Sequence, residues 1–110
     1  MPHIVVEHSD SLTAFMREND VLRALHSCVT DSGLFDPQAV KARAMPYVDA
    51  VLPEGADRFV HITVSILSGR TSDQRAALSQ AVFEAAQRKL STDIRLSVNI
   101  HEMDAQIYKK

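Results

Sequence analysis

The sequence predicts a two-layer α/β domain of the α+β kind, in which tandem β-α-β repeats form a four-stranded sheet with two helices on one face. Three observations carry this. Two segments alternate with period two: Val60, Ile62, Val64 and Ile66 against His61, Thr63 and Ser65, and Leu96, Val98 and Ile100 against Ser97, Asn99 and His101. Two longer segments with apolar residues at helical spacing separate strand candidates. A short motif also returns, since His3-Ile4-Val5-Val6 is echoed by His61-Ile62-Thr63-Val64, each opening a strand-helix-strand unit of about residues 1–52 and 57–110 within one domain.

The first strand is His3 to His8, rich in β-branched residues and bounded by Ser9-Asp10-Ser11. From Leu12 to Thr30 the residues Leu12, Phe15, Leu22, Leu25 and Val29 recur at helical spacing. Asn19-Asp20 is positioned to end one short helix and cap a longer one, and Gly33 to stop it. Ala39 to Leu52 has the extent of a second strand, which Pro46 assigns to an edge or a bulge. Pro53 to Asp57 reads as a loop. After the third strand, Thr71-Ser72-Asp73-Gln74 has the capping-box pattern, and a long helix follows with Leu78, Val82, Ala85, Ala86 and Leu90 as its stripe. Ser91-Thr92-Asp93 breaks it before a fourth strand, Ile94 to Glu102; the tail through Tyr108 has no period.

Strands joined by a crossover helix lie parallel with right-handed crossovers, so both helices fall on one face of the sheet. The other face carries His61, Thr63, Ser65, Ser97, Asn99 and His101, too polar for a core and too weakly charged for an ordinary solvated surface. It suits a hydrogen-bonded subunit interface. A chain of 110 residues buries only about two thirds of its unfolded surface, which also favours association.

Composition excludes several classes. The chain is 45% hydrophobic and 24% charged, the balance of a globular domain. No apolar run approaches the length of a membrane span and no basic-then-apolar leader opens the chain, so a cytoplasmic protein without membrane contact is expected. Twelve Lys and Arg against fourteen Asp and Glu give a formal charge of −2, too little positive field for a nucleic-acid binder. Cys28 is the single cysteine, and the five histidines follow no ligand spacing, so neither disulfide nor metal is expected. Three glycines cannot write a phosphate-binding loop.

Pro2 is the most informative residue. If Met1 is removed, Pro2 presents a secondary amine at the first position of a strand, and burial and nearby cations both penalise its protonated form. Arg70 lies between a Ser-Gly turn and the capped start of the second helix, where backbone N–H groups already favour an anion; a salt bridge to Asp73 is its simpler use. Lys41 and Arg43 leave one face of the second strand about 7 Å apart, spaced to bracket a dicarboxylate or to form a charged edge.

These residues together resemble the tautomerase superfamily. The second half, from His61 through Ser68-Gly69-Arg70 to Met103, looks like a whole 4-oxalocrotonate tautomerase subunit. Met1-Pro2-His3-Ile4-Val5-Val6-Glu7, the Gly33-Leu34-Phe35 turn, Phe59 to Thr63 and Ser68-Gly69-Arg70 extend the likeness over nearly the whole chain, to the 5-carboxymethyl-2-hydroxymuconate Δ-isomerase family. That resemblance implies a tautomerase-like homotrimer with sites near subunit contacts. It implies an enzyme of aromatic compound catabolism that moves a proton between carbons of a small anionic unsaturated 2-hydroxy or 2-oxo acid, with no cofactor and no metal. Pro2 would be the base, Arg70 would bind a carboxylate or the developing enolate, and Tyr108 would supply an aromatic wall. The family's arginine on the second strand falls at Lys41, a point charge without Arg's bidentate fork, so Arg43 or a different substrate preference must answer for that contact. Two other readings are a decarboxylase, dehalogenase or hydratase of the same fold, with Glu7 as an added acid, and a non-catalytic ferredoxin-like binding module.

Overall fold

The computed structural model describes residues 1–110. Strand β1 (His3–Ser9) leads through a 3₁₀ turn at Asp10–Leu12 into helices α1 (Thr13–Glu18) and α2 (Val21–Thr30), followed by a second 3₁₀ turn at Pro37–Ala39 and strand β2 (Lys41–Tyr47). Strand β3 (Phe59–Leu67), helix α3 (Ser72–Gln87) and strand β4 (Arg95–Met103) complete the chain. The sheet order is β2-β1-β3-β4, with β1 parallel to β2, β3 parallel to β4, and β1 antiparallel to β3. This is the four-stranded α+β architecture that the alternation and the helical stripes predict.

Period-two patterning sorts the two faces. Ile4, Val6, Val60, Ile62, Val64 and Ile66 are fully buried and meet Leu25 and Val29 of α2 and Leu78 and Val82 of α3. Each such side chain contributes about 1.5–3 kcal/mol by leaving water. The intervening His3, Val5, Glu7, His61, Thr63 and Ser65 are only partly buried and form the polar face.

Three details differ from the sequence reading. The second strand spans Lys41–Tyr47 rather than Ala39 to Leu52, because its ladder comes only from β1: Tyr47 already pairs with Ser9, the last residue of that strand. Pro46 does sit on an edge strand, as its missing N–H requires. The first helical segment divides at Asn19-Asp20 as expected, but Asp20, at φ 50 and ψ 41, makes no side-chain cap. The long helix ends at Gln87, with Leu90 buried beyond it.

The start of α3 follows the capping-box pattern in full. Gln74 N–H donates to Thr71 Oγ1 at 3.1 Å and Thr71 N–H donates to Gln74 Oε1 at 2.9 Å, satisfying two donors that the first turn leaves free. Because β3 runs antiparallel to β1, Ser65 pairs with His3. The end of β3, Arg70 and the start of α3 therefore come to the same end of the sheet as the chain start.

Candidate active site

That end of the sheet gathers most of the residues singled out by sequence. Pro2 is fully buried, and its carbonyl accepts the Lys41 N–H at 3.1 Å, so the parallel ladder with β2 continues one step beyond β1. Met1 is in place before it, its side chain in the core cluster and its amine donating to the Ala39 carbonyl at 2.7 Å. With Met1 attached, the Pro2 nitrogen is an amide. The Met1 amine is held below the ordinary amine range, first by burial, then by the ammonium charges of Lys41 and Lys110, with Asp36 opposing them. The cations acting on the terminus are thus two lysines rather than guanidinium groups. Lys110 was not legible because nothing in the unpatterned tail indicates where it folds.

Beside this terminus, His3 joins two further candidates. Its Nε2 lies 2.7 Å from the Tyr108 hydroxyl, and Arg43 Nη1 lies 3.3 Å from its Nδ1. The Tyr108 ring meets the His3 ring edge-on at 6.0 Å between centroids, which brings this residue of the tail to the first residue of β1. His3 is held below the usual imidazole range by burial first, then by Arg43, the terminal amine and Lys41. The sequence signal for His3 is its place next to Pro2 and on the face of Lys41, since His3 and Lys41 are cross-strand partners.

Arg70 stands slightly apart. It makes no ion pair with Asp73: its Nη2 donates to the Leu34 carbonyl at 2.7 Å, and its guanidinium lies 4.8 Å from the centroid of the Phe35 ring. Cation–π contact and one carbonyl use part of its fork and leave other N–H groups free. The loop it grips leads directly to Asp36, one of the charges sensed by the terminal amine. Glu7, by contrast, lies five residues along β1 from Pro2, about 16 Å at strand rise, and accepts a hydrogen bond from the Tyr47 hydroxyl.

A separate cleft of about 560 Å³ opens between the first two helices and β2, lined in part by His8, Arg17, Arg23 and His26. It holds none of the expected catalytic or substrate-binding residues. No helix is long and apolar enough to cross a membrane.

The sequence model of the 5-carboxymethyl-2-hydroxymuconate isomerase family matches residues 2–110. The chain belongs to that family. It is an isomerase of the tautomerase type. Its fold is similar to that of a 5-carboxymethyl-2-hydroxymuconate isomerase from Deinococcus radiodurans R1, with TM-score 0.87 and 22% identity over 99% of this chain and 87% of that one. A second structure, a 5-carboxymethyl-2-hydroxymuconate delta-isomerase, aligns at TM-score 0.79 and 19% identity over 100% of this chain and 87% of the other. A fused 4-OT wild type symmetric trimer aligns at TM-score 0.79 and 21% identity over 98% and 90%. A search of curated proteins by sequence finds no match.

Proposed function

We propose that this isomerase moves a proton between carbons of a small anionic unsaturated 2-hydroxy or 2-oxo acid, of the 5-carboxymethyl-2-hydroxymuconate kind, with the Pro2 amine as general base once Met1 is removed. The observation that carries this reading is the environment of the chain start: a buried position flanked by Lys41 and Lys110 in which a terminal amine is held below its ordinary pKa. The amine freed at Pro2 would lie one residue further along, in the same buried end and next to Lys41, where burial and a nearby cation again favour the uncharged form that a base requires. The space now filled by Met1 adjoins the Pro2 nitrogen directly and is where substrate would lie. Pro2 would take the proton from carbon in a 2-oxo tautomer, or from the enol hydroxyl in a 2-hydroxy tautomer, leaving the same dienolate, and deliver it to a different carbon of the same molecule. Arg70, Lys41 and Arg43 would hold the carboxylates and the developing enolate oxygen, and Tyr108 would flank the substrate. The chemistry is redox-neutral and closes within one molecule, so the reading needs no cofactor.

The family's place in aromatic catabolism and a cytoplasmic location belong to the same proposal, as does a single domain built from two β-α-β repeats. So does a homotrimer, with the polar sheet face and the exposed Met45, Val48 and Val51 at subunit contacts. The decarboxylase, dehalogenase or hydratase reading is weaker, because Glu7 is distant from Pro2 and already engaged by Tyr47.

The test combines intact-mass analysis with turnover. Protein shown to lack Met1 should isomerise 5-carboxymethyl-2-hydroxymuconate faster than 2-hydroxymuconate or phenylpyruvate, and should scatter light as a trimer. Full activity in protein retaining Met1 would rule out the Pro2 amine.

A further inference from the structure

We propose that His3 is a positioning residue that carries a neutral hydrogen-bond relay from Arg43 to Tyr108, orienting both toward the substrate space beside Pro2. The proposal rests on the functional reading above and deepens it.

The direction of the relay follows from donor inventory. A guanidinium has only N–H donors, so at 3.3 Å from Arg43 Nη1 the His3 Nδ1 must be the acceptor and carry no proton. A neutral ring then has its proton on Nε2, and at 2.7 Å that N–H donates to the Tyr108 oxygen. Tyr108, having accepted, keeps its own O–H as a free donor. The relay thus leaves an outward phenolic donor and a guanidinium with one arm tied, two groups suited to an anionic ligand.

The charged surroundings favour this state. Arg43 and Lys41 on β2 oppose a second proton on the ring, and the chain-terminal amine adds to them whenever it is charged. On the other side Ser65 of β3 pairs with His3, with His101 of β4 beyond it. No carboxylate is among the charges acting on the ring to stabilise an imidazolium. Protonating His3 would put N–H against N–H at Nδ1, expel Arg43 and break the relay.

Two conservative replacements separate the arms. In His3→Asn the amide oxygen stands near the old Nδ1 and can still accept from Arg43, but Tyr108 loses its donor. In His3→Gln the amide nitrogen stands near the old Nε2 and can still donate to Tyr108, but Arg43 loses its acceptor. The Gln variant, which loses a charge-assisted hydrogen bond, should lower kcat/KM about tenfold, and the Asn variant, which loses a neutral one, about threefold. The Gln variant should raise KM and the Asn variant should lower kcat, and both should lose an acidic inflection below about pH 6.5 present in the parent. Tyr108→Phe added to His3→Asn should cost little more than either alone, as groups in one relay do.

Nitrogen-15 NMR of the histidine rings is independent of turnover. The expected signature is a neutral Nε2–H tautomer for His3 at pH 7.5. An Nδ1–H tautomer or an imidazolium there would overturn the relay, as would parent-like kinetics and pH profiles in both folded variants. Absence of isomerase activity in verified Met1-free parent protein would instead overturn the functional reading, while the NMR result would still judge the relay.

Discussion

The two strand-helix-strand halves of the chain open on nearly the same words and put them to different uses. His3 and His61 occupy matching places, and each meets a neighbour on the adjacent parallel strand: His3 pairs with Lys41 and contacts Arg43, while His61 pairs with Ser97 and lies 2.6 Å from its hydroxyl. The first half has a chain terminus and two cations beside its histidine; the second has Ser97 and Asn99 at the corresponding places and a continuous chain behind it. Local hydrophobic pattern is therefore enough to build either half. What separates the two ends is which charges stand beside the opening strand.

The widest separation should appear in turnover. Replacing Pro2 with Ala should cut kcat by about 10² to 10⁴, the range of a positioned base, with a smaller change in KM. His61→Asn should leave kcat close to the parent's; equal losses in steady-state assays would mean that the halves share the chemistry.

Stability should show the opposite symmetry. Ile4 and Ile62 are both fully buried on the helix side of the sheet, so Ile4→Ala and Ile62→Ala should each lose about 2–5 kcal/mol in urea unfolding. A much smaller loss at Ile4 would show that the first half packs more loosely.

The helices differ at their starts. Thr71 closes a complete capping box, so Thr71→Ala should cost about 1 kcal/mol. Asp20 begins α2 at positive φ without a side-chain cap, so Asp20→Gly should relieve backbone strain and raise stability by less than about 1 kcal/mol. Thermal midpoints should move in opposite directions.

The smallest effect is a pH dependence. The fold holds His3 below its usual value, so on acidification the unfolded chain binds the proton first. Its contribution is complete above about pH 6.5 and declines as pH falls toward the lower folded value. His3→Asn should flatten the dependence of the unfolding midpoint across that window.

Much of this was legible because strands and helices announce themselves by period. The β3 alternation, the α3 stripe and the Thr71-Gln74 box each give a local signal with a local cause. The end of β2 did not, since Tyr47 is where β1 runs out of partners and no residue in 48–52 records that fact. Pro2, Lys41, Arg43 and Tyr108 could be singled out one by one, and the sheet brings them to one end. The use of His3 as the link between Arg43 and Tyr108 was hidden, because it depends on a tail without periodicity folding back across 105 residues. Arg70 was singled out for its turn and helix start, but its grip on Leu34 and Phe35 depends on a loop whose path no spacing rule describes.

The main-chain bond from Lys41 to the Pro2 carbonyl has a bearing on how such a protein can change over time. A peptide N–H anchors the start of the chain whichever residue other than proline carries it. Exchange of the side chain at that point therefore leaves the nitrogen that follows Met1 in its place, so the charge beside the chain start is free to vary on a fixed mount.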